Sequence, residues 1–109
     1  MSLMPFDDRD GWIWMNGEFL PWRDAKLHVL THGLHYASSI FEGERCYAGN
    51  IFKLREHTDR LIRSGRLLGF EIPFTAEEID AATIGTVRRN GHTEAYIRPV
   101  AWRGSEMLR

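Results

Sequence analysis

The sequence has a single cysteine, Cys46, in 109 residues. No internal disulfide can form, which fits a reducing compartment. Lysine is nearly as scarce: only Lys26 and Lys53 occur, and neither stands in the apolar sequence context that a Schiff-base lysine needs. Charge of one sign is missing as well. Fourteen Lys and Arg against fifteen Asp and Glu leave a net charge of −1, so no basic excess favours nucleic acid or an anionic membrane, and no acidic tail is present. No apolar run approaches the roughly 20 residues that span a bilayer. The N-terminus lacks the basic and apolar regions of a secretion signal. These absences lead us to expect a cytoplasmic protein. There is no internal repeat, no low-complexity linker and no glycine-rich phosphate loop; the glycines are spaced as turns require. Five histidines occur, at 28, 32, 35, 57 and 92. His32 and His35 flank Gly33, but no further ligand cluster joins them, so no metal site is expected and both are assigned local hydrogen bonds.

What is present suffices for one small core, since 43% of the residues are hydrophobic. Residues 1–11 read as a flexible N-terminal segment, with residues 1–3 a leader ahead of Met4. Trp12-Ile13-Trp14-Met15 reads as a strand, Asn16-Gly17 as a hairpin turn, and residues 18–22 as the return strand. Residues 23–31 are ambiguous. A compact turn at Gly33-Leu34-His35-Tyr36 leads into an alternating strand over residues 40–47. Ala48-Gly49-Asn50 turns the chain back into a strand over residues 51–54. The spacing of Leu54, Leu61, Ile62, Gly65 and Leu68 predicts a helix over residues 55–68, with Arg55, Asp59, Arg63 and Arg66 facing solvent and Gly69 ending it. Thr75 and Glu78 form a capping box, with Phe74 and Ile79 at the staple positions, and predict a helix to residue 89 stopped by Asn90-Gly91. A last strand covers residues 94–103. The order gives an α+β fold in which an antiparallel sheet of hairpins carries two helices on one face.

Strand alternation places Phe41, Gly43, Arg45 and Tyr47 on one face, with Ile40, Glu42, Glu44 and Cys46 on the other. The first face suits the wall of a pocket for a small anion; an ordinary strand whose Arg45 reaches water is the plainer alternative. Cys46, on the inward face with no base beside it, reads as a structural thiol. The last strand repeats the theme, with Tyr96, Arg98, Val100 and Trp102 on one face, and Pro99 marks an edge or a bulge. Arginine's planar fork matches carboxylate or phosphate oxygens. Arg60 falls on the helix row of His57, Ser64 and Leu67, at the border of the apolar stripe. It either needs an anion or snorkels from the helix flank.

Several segments, in this order, resemble one family: Trp14-Met15-Asn16-Gly17-Glu18, Asp24-Ala25-Lys26, His32-Gly33-Leu34-His35-Tyr36, Phe41-Glu42-Gly43-Glu44-Arg45-Cys46-Tyr47, Arg55-Glu56-His57-Thr58-Asp59-Arg60-Leu61 and Ala95-Tyr96-Ile97-Arg98-Pro99. Together they are similar to the N-terminal small domain of the fold-type IV pyridoxal-phosphate enzymes, most of all the branched-chain amino-acid aminotransferases. The Phe-Glu-Gly-x-Arg-x-Tyr segment separates this branch from D-amino-acid aminotransferases and aminodeoxychorismate lyases. Glu44 stands where the family often has an apolar residue.

The resemblance implies a homodimer or higher oligomer that uses pyridoxal 5'-phosphate to exchange amino groups between branched-chain amino acids and 2-oxo acids such as 2-oxoglutarate. It implies that Arg60 binds the cofactor phosphate. Phe41, Gly43 and Arg45 would line the substrate pocket, Tyr96 and Arg98 would contact the substrate, and Tyr36 would close the pocket of the neighbouring subunit. It further implies that residues 12–104 form the small domain and residues 105–109 begin a linker to a larger C-terminal domain. That domain would supply the Schiff-base lysine. The 109-residue chain alone is therefore expected to bind no cofactor and to be inactive. The alternatives are another fold-type IV enzyme, or an interaction module that keeps the fold without catalysis.

Overall fold

Two tight turns and two well-capped helices order the elements of the computed structural model, which describes residues 5–105. The leader assigned to residues 1–3 and all but the first residue of the linker assigned to residues 105–109 lie outside the described residues. The first hairpin pairs β1, Trp12–Met15, with β2, Glu18–Pro21, in antiparallel register. Asn16 and Gly17 both take positive φ, 52° and 95°, as this two-residue turn requires. The return strand ends one residue early, because Pro21 leads into a single 3-10 turn over Trp22–Asp24. Residues 5–10 are fastened to that turn: Arg23 pairs with Asp8 and Asp10, and the Trp22 indole donates to the Phe6 carbonyl.

The expected turn after residue 31 is helical. A five-residue helix, α1, spans His32–Tyr36 and ends at Ala37 in the left-handed region. Local propensity does not select it; tertiary bonds do. The His32 and Gly33 amides donate to the Gly104 and Arg103 carbonyls at 2.9 and 3.1 Å, and a Cβ at Gly33 would meet the Trp102 Cβ at 3.1 Å. His32 and His35 bond locally, to the Ser38 hydroxyl and the Val29 carbonyl.

The two long strands expected over residues 40–47 and 94–103 are each interrupted once, at the same level. β3, Ser39–Phe41, pairs with β7, Val100–Trp102, while β4, Glu44–Tyr47, pairs with β6, Ala95–Ile97. Phe41 faces Val100 on one side of the break and Glu44 faces Ile97 on the other, so the register is unchanged and there is no bulge. The cause is Pro99. Its carbonyl accepts from the Glu42 amide at 3.0 Å, but proline has no N–H to return the bond. β5 is only Asn50–Ile51, paired to the end of β4. The chain then turns at Lys53, in the left-handed region, into α2, Leu54–Leu67.

Helix α2 stops in a Schellman motif: the Gly69 amide donates to the Arg66 carbonyl and the Phe70 amide to the Gly65 carbonyl. Helix α3, Ala76–Arg89, begins with the complete Thr75–Glu78 capping box. Helix α2 packs on β3, β7 and α3, and α3 packs on β1. Asn90 fastens the first hairpin to α3 by bonding both the amide and the carbonyl of Trp12. The fold is thus the expected α+β arrangement, with its antiparallel sheet divided into three short pieces and a third helix added. The buried positions are unusually polar: Thr31, Ser38, Glu42, Glu44, Thr58 and Thr83 join Cys46, Leu61, Ile79 and Val87.

Candidate active site

The broken strand pair has two faces of opposite character. Outward stand Phe41 of β3, Gly43 in the break, and Arg45 and Tyr47 of β4, with Tyr96, Arg98 and Val100 beside them; all are exposed. Inward stand Glu42, Glu44 and Cys46, all buried. The alternation continues across the break because the register does.

On the outward face the cations lie over aromatic rings. Arg45 is directly opposite Tyr96 in the ladder, its guanidinium 5.3 Å from that ring centre. The Arg98 guanidinium sits 4.0 Å from the Phe41 ring and donates weakly, at 3.4 Å, to the Tyr96 hydroxyl. Gly43 lies beneath that hydroxyl: a Cβ there would approach it to 2.8 Å. The chain therefore gathers Phe41, Gly43, Arg45, Tyr96 and Arg98 into one continuous wall, apolar along its length and cationic at two points. Tyr36 is not on it. It stands exposed on α1, its ring 4.6 Å from that of His32.

Arg60 is not on the outward wall either. It rises from α2 to the inward side of the strands, where the Glu42 carboxylate meets it. Arg60 Nε donates to Glu42 Oε1 and Oε2 at 3.0 and 2.8 Å, and Nη2 donates to Oε1 at 2.7 Å. His57, one turn earlier on the same helix, donates from Nδ1 to Oε1 at 2.7 Å. The Arg60 guanidinium, with a smaller contribution from His57, holds the Glu42 carboxyl below the usual carboxylate range against the opposing effect of burial. Glu42 in turn raises the Arg60 pKa. The anion that a flank arginine requires is thus present within the chain. Three of the five guanidinium N–H groups, both on Nη1 and one on Nη2, remain beyond this fork, and the side chain is 57% exposed. That leftover donor set fits two oxygens of a phosphate.

Glu44 differs from Glu42. Only 1% exposed, it has an Oε1 with no hydrogen-bond partner, and desolvation pushes its carboxyl up to about 7, with His57 pulling the other way. Strand alternation sets Glu42 and Glu44 on the face opposite Phe41 and Arg45, but it assigns neither a role. The signal for Glu42 lay in two rows meeting: His57 and Arg60 are three residues apart on one helix face, and Glu42 is the acid facing them.

A family model described as Amino-transferase class IV matches residues 39–109. A probable branched-chain-amino-acid aminotransferase of Rickettsia felis is 49% identical over 96 residues, covering 88% of this chain and 33% of the relative. The branched-chain-amino-acid aminotransferase of Pseudomonas aeruginosa is 49% identical over 107 residues, covering 94% of this chain and 35% of the relative. Among solved structures, a branched-chain amino acid aminotransferase complexed with N-(5'-phosphopyridoxyl)-L-glutamate superposes with a TM-score of 0.88 at 48% identity, over 93% of this chain and 36% of that one. The branched-chain amino acid aminotransferase of Escherichia coli superposes with a TM-score of 0.87 at 39% identity, over 93% of this chain and 34% of that one. The chain spans about a third of the length of the curated relatives it matches.

Proposed function

The chain belongs to the class IV aminotransferases, and from that premise we propose that it forms the small domain of a branched-chain aminotransferase working as a homodimer or higher oligomer in the cytoplasm. The observation that carries this reading is the outward wall, because one surface offers both partners of such an exchange what they need. The rings of Phe41 and Tyr96 give a branched aliphatic side chain apolar area to cover. Arg98, lying over Phe41 at the rim, gives the distal carboxylate of glutamate or 2-oxoglutarate a bidentate partner. Gly43 keeps the floor between them flat, and Arg45 adds a second positive charge opposite Tyr96. Tyr36, exposed on a separate element, is free to reach a neighbouring subunit's pocket.

Arg60 holds the phosphate end of pyridoxal 5'-phosphate through the donors that Glu42 leaves unused. The chemistry that this cofactor supplies when bound is an electron sink for the substrate's α-carbon. This chain's residues bind and orient; none of the wall residues is a base suited to moving the α-proton. Lys26 and Lys53 are both exposed, and Lys53 is committed to the turn into α2 with its ammonium 5.6 Å from the Phe52 ring centre. The proton shuttle therefore comes from sequence outside these 109 residues, and the isolated chain has no turnover.

The test is a transamination panel on a protein that carries this chain joined to a lysine-bearing partner domain. Leucine, isoleucine and valine with 2-oxoglutarate are expected to be used, and D-alanine not. Preference for D-alanine would move the assignment to another branch of the family. Absence of all turnover with bound cofactor would favour an interaction module. Turnover by the 109-residue chain alone would overturn the division of labour.

A further inference from the structure

We infer that Glu42, braced by His57, is a positioning residue that orients the Arg60 guanidinium so that its outer edge faces a phosphate group. This rests on the proposed phosphate role of Arg60 and adds to it a reason for the orientation. An arginine more than half exposed on a helix flank samples many rotamers, and ordering it on binding is costly. Here the sampling is stopped on one side only. Nε and Nη2, the lateral edge, are occupied by both Glu42 oxygens, which leaves the end-on edge formed by Nη1 and the outer proton of Nη2.

The carboxylate that does this is itself fixed in three ways. It is 5% exposed. Its backbone amide is bonded to the Pro99 carbonyl at the point where the two strands break. Its Oε1 takes the His57 Nδ1–H at 2.7 Å, which stops the carboxylate from turning about its own bond. The break at Pro99 thus has a use: it is where the inward side chain of the strand is anchored at once by a backbone bond and by two α2 side chains.

A contrary role is available to the same atoms. Glu42 could act as an internal competitor that occupies Arg60 and must be displaced by phosphate. The two roles predict opposite signs, so one titration separates them. The probe is inorganic phosphate added, without pyridoxal 5'-phosphate, to the protein that carries this chain joined to a lysine-bearing partner domain, followed by 15N NMR at the Arg60 Nε–H. The wild-type Nε–H is expected as a single, slowly exchanging resonance. Glu42→Gln is expected to broaden it and to weaken phosphate binding about tenfold, the loss of one charge-assisted hydrogen bond, while the thermal midpoint with and without phosphate shows that the fold persists. His57→Phe keeps a ring of similar size but removes the donor, and is expected to weaken binding by a smaller factor. It also serves if Glu42→Gln does not fold. Equal or tighter binding in either variant overturns the positioning role. Phosphate binding that is undiminished in Arg60→Ala, or is absent in the wild type, overturns the phosphate role of Arg60 itself. Loss in Arg60→Ala with none in Glu42→Gln overturns only the inference about Glu42.

Discussion

A methyl group at position 43 would come within 2.8 Å of the Tyr96 hydroxyl and 3.2 Å of its ring. The obstacle is the far end of a half-exposed side chain, so Tyr96 moves and the ladder does not. The backbone at Gly43 is not in the left-handed region, and alanine there also narrows the unfolded ensemble. Gly43→Ala should therefore leave thermal stability within about 1 kcal/mol yet swing Tyr96 across the wall. The expected result in a competent enzyme is a several-fold higher KM for leucine with a smaller change in kcat; an unchanged KM would mean that Tyr96 does not border the side-chain pocket. Position 43 was legible as part of the wall from alternation alone. That it must be small was not, because the cause is a diagonal contact from a strand more than fifty residues away. Glu42 illustrates the same limit. Its inward direction follows from the period of a strand, but its meeting with Arg60 depends on where α2 is laid down.

The two longer helices were readable because their ends are written in local chemistry. The Thr75–Glu78 box and the Gly69 stop need only neighbours in sequence, and both occur as expected. What holds the helices to each other is not local. Asp80 on α3 accepts from the Thr58 hydroxyl on α2 and pairs with Arg55 at 2.7 Å. Thr58 is 1% exposed, so removing Asp80 leaves a buried hydroxyl without this acceptor. Asp80→Ala should cost about 1 to 3 kcal/mol, measurable by urea unfolding. Arg55→Ala, which touches only the exposed side of the latch, should cost distinctly less than Asp80→Ala. Equal losses would mean that the ion pair, and not the buried hydroxyl, fastens the helices. The strands were less legible than the helices. Pro99 signalled an interruption, but not that the opposite strand would break at the same level without a change of register. The α1 segment reads as a turn in the sequence because the carbonyls that make it a helix lie seventy residues downstream.

At the scale of the whole molecule, the surface is as informative as the core. Val29, Leu34, Tyr36, Phe41, Phe52 and Leu67 are each more than half exposed. So much apolar area on one small chain favours association, and sedimentation should show weight-average mass rising with protein concentration; a monomer at all concentrations would argue against the oligomer proposed above. The core makes the complementary prediction, through its two buried carboxyls. For Glu42 the folded pKa is depressed, so its contribution is present above the ordinary value of 4.5 and is lost as pH falls through the folded value. For Glu44 the folded pKa is raised from 4.5 to about 7, so between those values the folded state binds the proton that the unfolded state has released. The contribution of this one group to stability should then fall as pH rises from about 4.5 to about 7 and level off beyond, by about 3 kcal/mol. Urea unfolding should accordingly give a higher free energy at pH 5 than at pH 8. Glu44→Gln, which keeps the shape and removes the charge, should flatten that slope and stabilise the chain at pH 8 more than at pH 5. A wild-type slope that survives Glu44→Gln would place its origin elsewhere than in this carboxyl.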